Sequence, residues 1–400
     1  MKNESPKYRF DKFNENWIIV KLSDIACHYK TGGTPSTKDP TFWGGAIPWI
    51  QSSDIQKDRL FGVIPQKFIS EEGLQNSTAK LIPKNSIAIV TRVGVGKLAI
   101  IDQDYATSQD FLSLSDFDED ILFIVYSIYR MLQKESTQLQ GTSIKGITKE
   151  DLLLKKISLP EIEEQSAIGS LFRTLDNLLS SYKDNLANYQ SLKATMLSKM
   201  FPKAGQNVPE IRLDGFEGEW EIKRADEIFK SVSEKNKAFL PVLSASQIDG
   251  MVLRDEIGIN IKYDEATLNN YKVVKPGQFV IHLRSFQGGF ALSKLEGITS
   301  PAYTIIDFID KENNLSDFWN SILTSRDFIK RLETVTYGIR DGKSISFKDF
   351  SSLKFVFPEF KEQQAIGAYF SNLDNLINSY QEKISQLVIL KKKLLQDMFI

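Results

Sequence analysis

Pro160-Glu161-Ile162-Glu163-Glu164-Gln165-Ser166-Ala167-Ile168-Gly169 returns 198 positions later as Pro358-Glu359-Phe360-Lys361-Glu362-Gln363-Gln364-Ala365-Ile366-Gly367. The correspondence runs on without a gap: Leu175-Asp176-Asn177-Leu178 returns as Leu373-Asp374-Asn375-Leu376, Ser181-Tyr182 as Ser379-Tyr380, and Met200-Phe201 as Met398-Phe399. Over positions 158 to 201, 19 of 44 residues are identical, far beyond what a shared helical composition produces. A second echo, at offset 203, links Arg9-Phe10-Asp11, Phe13 and Trp17 to Arg212-Leu213-Asp214, Phe216 and Trp220. The chain is two copies of one plan. Between the constant ends, roughly 27–140 and 230–338 share little, the pattern of one frame carrying two different recognition surfaces.

The repeated stretch reads as a long helix from Glu161 to Phe201, with its twin at the C-terminal end. Apolar positions step by four and three: Ile168, Phe172, Leu175, Leu179, Tyr182, Leu186, Tyr189, and then Met196 and Met200. The second copy keeps each step with Ile366, Phe370, Leu373, Ile377, Tyr380, Ile384, Leu387, Leu394 and Met398. Such a narrow heptad stripe needs a partner helix. The steps skip one seam position, which is Lys193 in one copy and Lys391 in the other. Pro160 and Pro358 stand where a helix start tolerates proline. About 38 residues at ~1.5 Å each make a rod of roughly 55 Å, longer than one small domain face can cover. The two helices are therefore expected to pair with each other. An antiparallel pairing would hold the domains at opposite ends. The outer faces, with Arg173, Lys183, Asp184 and Lys391-Lys392-Lys393, could dock another protein, although a charge run is more often a solvated face.

Four hundred residues suit two domains plus connecting elements. The apolar fraction, 42%, is that of a globular chain. No apolar run approaches a membrane span, and the N-terminal residues carry no signal-peptide core, so a cytoplasmic protein is expected. The single Cys27 excludes an internal disulfide framework. One cysteine and two histidines make a structural metal site improbable, and no metal is expected. Net charge is −1; residues 1–156 hold 20 basic and 19 acidic side chains, and residues 203–352 hold 20 and 22. Overall charge thus gives no support for nucleic-acid binding, which would need a local basic groove or a partner's phosphate contacts.

In the first variable region, Gly32-Gly33, Pro35 and Gly44-Gly45 mark turns, and Ile47 to Ile50 reads as a strand. Ser86 to Val93 and Lys97 to Ile101 read as a hairpin joined at Gly94-Val95-Gly96. Gly277 to Leu283 and Phe290 to Leu292 read as its counterpart, with Arg92 and Arg284 at the two bends. Helical segments follow at about 120–139 and 316–335. The fold class is α+β: two similar mixed α/β domains, 1–156 and 203–354, joined by two long helices, 157–202 and 355–400, pairing as an antiparallel coiled coil.

Thr31-Gly32-Gly33-Thr34-Pro35, Trp43-Gly44-Gly45, Ile47-Pro48-Trp49, Arg92-Val93-Gly94 through Gly96-Lys97, and Ser300-Pro301-Ala302-Tyr303 are each weak signals alone. In this order, with Leu159-Pro160-Glu161 and Phe357-Pro358-Glu359 opening the two helices, the chain resembles the specificity subunits of type I restriction-modification systems over essentially its whole length. The resemblance implies that each variable domain is a target recognition domain reading a few base pairs, with the coiled coil setting the distance between half-targets. It implies as partners double-stranded DNA, two methyltransferase (modification) subunits, and restriction subunits acting as ATP-dependent translocase and nuclease. S-adenosylmethionine, ATP and Mg would belong to those partners, with no cofactor in this chain. The chain itself would not be a catalyst. The alternative is a non-DNA scaffold presenting two protein-binding domains on a coiled coil.

The residues agree with a non-catalytic role. An adenine methyltransferase usually holds its flipped base in a loop containing Pro-Pro, and this chain has no such pair. Gly94-Val95-Gly96-Lys97 lacks the third glycine and following helix of a dinucleotide loop. Gly338-Ile339-Arg340-Asp341-Gly342-Lys343-Ser344 is one residue short of a phosphate loop and is followed by no long helix. Reading DNA instead needs Arg or Lys toward guanine, Asn or Gln toward adenine, and hydroxyls or amides toward phosphate. Candidates in the first domain are Lys30, Thr34, Ser36, Lys38, Arg92, Lys97, Gln109 and Lys145; in the second they are Arg284, Gln287, Tyr303, Arg340, Lys343 and Ser344. For any one of these the plainer reading is a solvated loop residue. Trp17, Trp43 and Trp49 are expected to be core or turn anchors rather than stacking platforms.

Overall fold

The repeated Glu-Gln pair lies in the interior, which explains its repetition. Glu164 and Glu362 are fully buried, and each is met by the arginine of the upstream echo. Arg9 donates from Nε and Nη2 to the two Glu164 oxygens at 2.8 and 2.7 Å; Arg212 does the same to Glu362 at 2.7 and 2.7 Å. The forked geometry suits guanidinium and carboxylate and satisfies a carboxylate that burial alone would not tolerate. Each carboxylate raises the pKa of its arginine above the ordinary value. The following glutamine closes the helix start: Gln165 donates to the Pro160 carbonyl at 2.9 Å and Gln363 to that of Pro358 at 3.0 Å. The other side of each amide accepts from the domain, from Asp120 N and from Leu315 N, both at 3.1 Å. Glycine follows because the domain helix crosses there. A Cβ on Gly169 would lie 2.8 Å from Leu122 Cβ, and one on Gly367 would lie 3.0 Å from Leu315 Cδ2.

The computed structural model describes residues 6–138, 146–246, 249–257, 265–281, 289–335 and 346–400. The chain forms two compact units, Met1–Lys183 with Glu382–Ile400, and Asp184–Gln381. Both long helices, Ile162–Lys199 and Phe360–Met398, are unbroken and contribute to both units.

In the first unit a four-stranded antiparallel sheet runs in the order Ala26–Thr31, Phe111–Phe117, Ser86–Val90, Leu98–Ile101. A smaller sheet joins Lys67–Ile69, Trp43–Ile50 and Ala106–Thr107, and Ile18–Lys21 pairs with Lys156–Leu159. The helix Ile121–Gln138 buries Phe123, Tyr126 and Leu132 in the same core as Phe172 and Phe399. The strand expected at 47–50 reaches back to Trp43, with a bulge between Trp43 and Ile47 that takes up the two glycines.

The second unit repeats the four-stranded order with Phe229–Val232, Thr304–Phe308, Phe279–Ile281 and Phe290–Leu292. Glu221–Arg224 pairs with Lys354–Phe357 as its counterpart does in the first unit. The segment expected as one helix at 316–335 is two, Ser316–Leu323 and Arg326–Val335. The break has a local cause: Thr324 Oγ1 bonds back to the Asn320 carbonyl at 2.6 Å, and Ser325 Oγ accepts from Phe328 N at 3.2 Å as a new cap.

Within each unit the two long helices pack antiparallel. In the first, Phe172 meets Phe399 at 5.5 Å and Asp176 bonds Lys391. In the second, Tyr189 stacks on Tyr380 at 5.5 Å and Lys193 bonds Asp374. Partners thus advance along one helix as they retreat along the other. Ile168, Phe172, Leu175 and Leu179 are buried, as are Ile366, Phe370, Leu373 and Ile377. Tyr182, Leu186, Tyr189, Tyr380, Ile384 and Leu387 are half-buried, as expected where two helices pair without a third layer.

Candidate nucleic-acid interface

A cleft of about 830 Å³ lies beside the hairpin 86–101 in the first unit. Its shape follows from where the strand ends. Ser86–Val90 stops short of the expected Val93 because the ladder ends at Thr91: its N–H still donates to its in-register partner Asp110 O at 2.7 Å, but its carbonyl is taken by Ile147 N at 2.8 Å. The chain then turns through Gly94 and Gly96, at φ +90° and +92°, backbone positions that favour glycine. Arg92 is thereby left exposed on the rim, with Val93 beside it at 73% exposure. Gln109 lines the same cleft and accepts from Thr34 Oγ1 at 2.7 Å.

Of the sequence-derived candidates, the structure brings Arg92 and Gln109 to the cleft, with Thr34 bonded to Gln109. Lys38 is exposed, but it is not part of the lining. Lys30 is half-buried and spends its ammonium on the Leu81 carbonyl at 3.0 Å, and Lys97 does the same on that of Ser52 at 3.1 Å. Ser36 offers its carbonyl to Trp43 Nε1 at 3.0 Å. Lys145, Arg284, Gln287, Arg340, Lys343 and Ser344 lie outside the described residues. In the second unit Tyr303 is half-buried, and its carbonyl accepts from Lys272 Nζ at 2.7 Å. Nearby, Glu234 bridges Lys237 and Lys275 at 2.7 and 2.8 Å; Lys237 first and Lys275 second draw its carboxyl down to about 2.

Sequence reasoning missed Thr91, Thr148 and Lys149 on the cleft wall. Thr148 caps a short helix by accepting from Asp151 N at 3.0 Å, and Lys149 sits 4.9 Å over the Tyr29 ring. The Thr148-x-x-Asp151 spacing is the signal that could have found this turn. The two tryptophans hold the Gly-rich loop. Trp49 is buried and donates to the Gly33 carbonyl at 2.9 Å, with Trp43 packed edge-on at 5.1 Å. Gly33 has no room for a side chain, since a Cβ would lie 2.3 Å from the Thr78 carbonyl oxygen. Trp17 donates to Glu164 at 3.2 Å, adding a third contact to the buried carboxylate. Cys27 is exposed, and His28 Nδ1 lies 2.6 Å from Asp116 Oδ2. Among the described residues no cluster of three His, Cys, Asp or Glu could hold a metal, and no helix is long and apolar enough to cross a membrane.

Comparison with known proteins agrees with this architecture. The family profile described as the type I restriction modification DNA specificity domain matches twice, at residues 14–188 and 217–388. The MjaIX type I specificity subunit of Methanocaldococcus jannaschii is 25% identical over 56% of this chain and 54% of its own length. The EcoR124I/EcoR124II specificity subunit of Escherichia coli is 31% identical over 44% of this chain and 45% of its own. The chain thus spans about half the length of these two relatives. The MjaVIII specificity subunit of M. jannaschii is 24% identical over 95% of this chain and 91% of its own. In fold, the chain is similar to the S subunit of a type I restriction-modification system from M. genitalium, with TM-score 0.64 over 99% of both chains at 15% identity. The family match covers most of the chain and falls once on each structural repeat, so the chain belongs to the type I restriction-modification DNA specificity family and carries two copies of its domain.

Proposed function

We propose that this chain is the DNA-reading subunit of a type I restriction-modification complex, with each domain reading one half of a bipartite, asymmetric target. The observation that carries the reading is the pairing of like frames with unlike surfaces. Arg9–Glu164 and Arg212–Glu362 are the same buried clamp, whereas region 27–140, which holds the cleft at Arg92 and Gln109, shares little sequence with region 230–338 of the second copy. The first half-target would be read from the cleft, with Arg92 suited to guanine and Gln109 to adenine. The second would be read from the loops that hold Arg284, Gln287, Tyr303, Arg340, Lys343 and Ser344.

The paired helices act in this reading as a spacer and a mount. Leu178 and Leu390, exposed at 36% and 44%, each stand one residue before a seam position in the first unit; Leu192 and Leu376, at 40% and 42%, do so in the second. The same leucines recur at the repeat offset, which suits two copies of one partner, the modification subunits. Those subunits would bring S-adenosylmethionine and the methyl-transfer chemistry. Restriction subunits would bring ATP, Mg and cleavage. This chain contributes recognition and assembly in the cytoplasm, where DNA and those partners meet. The near-neutral charge of each domain fits sharing of backbone phosphate contacts with the partners.

Methylation mapping of the assembled complex tests the reading. The expected result is two short half-targets separated by an unread spacer, and methylation at one continuous, symmetric site contradicts it. Removing a heptad from both helices should shorten the spacer by ~10 Å, about 3 base pairs, with both half-targets unchanged.

A further inference from the structure

Lys193 and Lys391 interrupt two otherwise apolar seams at equivalent positions, and each is partnered by an aspartate of the other helix. Lys391 bonds Asp176 in the first unit, and Lys193 bonds Asp374 in the second. Both partners come from the repeated Leu-Asp-Asn-Leu, so the contacts are related by the repeat itself. We propose that these two pairs form a register lock. It selects one alignment of the helices and thereby fixes the length of the spacer between half-targets. The inference rests on the DNA-reading role proposed above.

The argument is one of alternatives. A heptad seam is satisfied again after every slip of seven residues, so packing between the two seams does not by itself choose one alignment. The locks discriminate among the alignments. In the observed alignment both ammonium groups meet a carboxylate. A slip of one heptad in one direction sets Lys391 against Lys183 and Lys193 against Gln381. A slip in the other sets them against Gly169 and Gly367. A parallel arrangement with the two copies level brings Lys193 and Lys391 into the same layer, like charge against like. Only the observed antiparallel register pairs both lysines. A polar group at a single seam position commonly serves this purpose, lowering stability in exchange for one defined alignment. Asp176 is further held by Tyr126, whose hydroxyl donates to it at 2.6 Å.

The test uses the full chain with Cys27→Ser and pairs of introduced cysteines as rulers. Tyr189→Cys with Tyr380→Cys reports the observed register, since those rings stack at 5.5 Å. Tyr189→Cys with Leu387→Cys reports a slip of one heptad. Under mild oxidation by oxidised glutathione, the parent chain should cross-link through the first pair and not the second. Asp176→Lys with Asp374→Lys should lower the first cross-link several-fold. Adding Lys193→Asp and Lys391→Asp should restore it by exchanging the charges. An unchanged first cross-link in the reversed chain overturns the lock. If the reversed chain loses helicity by circular dichroism, the exchanged chain decides alone: a helical exchanged chain that does not regain the cross-link also overturns it. In complex with modification subunits, the exchanged chain should methylate with the parent spacer. Cross-links that follow the lock in a complex that methylates no bipartite site would uphold the lock and contradict the DNA-reading role.

Discussion

The two units share a frame and differ in how tightly it is bound to the domain. Both bury a Glu-Gln pair behind an arginine fork, and both run a four-stranded sheet in the same order. In the first unit the cross-helix ion pair is enclosed: the Lys391 and Asp176 side chains are 10% and 17% exposed, and Tyr126 and Tyr129 place their rings 5.5 and 6.0 Å from the ammonium. In the second unit the equivalent pair, Lys193 and Asp374, is 30% and 43% exposed. The cores differ too. The second is built around Phe229, in ring contact with Phe279, Phe308, Trp319, Phe350 and Phe355. The first is largely aliphatic around its sheet, with Ile87, Ile89, Leu112 and Leu114. The comparison teaches that the frame constrains sequence strongly, whereas the sheet keeps its strand order while its residues and the domain built around it change.

The largest effects should come from what is shared. Arg9→Ala and Arg212→Ala each strand a fully buried carboxylate, and each should cost about 3–5 kcal/mol by denaturant unfolding. A much larger loss in only one would break the equivalence of the halves. Next comes the enclosed ion pair: Asp176→Ala should cost about 3 kcal/mol by leaving Lys391 unpaired in a mostly buried site. Asp374→Ala, whose pair is more than a third exposed on one side, should cost about 0–1 kcal/mol. Arg92→Ala should weaken recognition of the first half-target by about 1–3 kcal/mol and leave the second unchanged, read as relative methylation of variant sites. Gly169→Ala should cost about 1–2 kcal/mol, because the new methyl meets backbone and Cβ atoms at 2.8 Å. Gly367→Ala should cost less, about 0–1 kcal/mol, since the end of the Leu315 side chain at 3.0 Å can give way and the nearest backbone atom, Phe318 N, lies at 3.2 Å rather than 2.8 Å. The smallest effect concerns pH. The Glu234 carboxyl is drawn down to about 2, so its pairing with Lys237 and Lys275 should persist at neutral pH and fade as pH falls from 4.5 toward 2. Glu234→Gln should remove that step from an acid titration followed by NMR of the two lysines.

Much of this frame was legible in the chain because it is periodic or repeated. The seam from Ile168 to Tyr189 and its twin from Ile366 to Leu387 follow from spacing alone. The arginine fork did not, because Arg9 and Glu164 are 155 residues apart and nothing local marks them as partners. Lys193 and Lys391 read as gaps in a stripe; their meaning depends on an aspartate from the other helix. The end of the strand at Val90 was hidden for the same reason, since the Thr91 carbonyl is taken by Ile147, 56 residues away in the chain. In the second domain the break at Thr324-Ser325 arises from side-chain bonds to backbone that a window of hydropathy does not register. The cleft was half legible: Arg92 and Gln109 were named from residue type, whereas Thr91, Thr148 and Lys149 came from the fold.

The central claim is that unlike domains on a common frame read different halves of one DNA target. Exchanging residues 27–140 for the corresponding region of another family member, and mapping methylation by the reassembled complex, tests it most directly. The account predicts that one half-target changes while the other half-target and the spacer stay as they were. A change in both halves, or in neither, would contradict it.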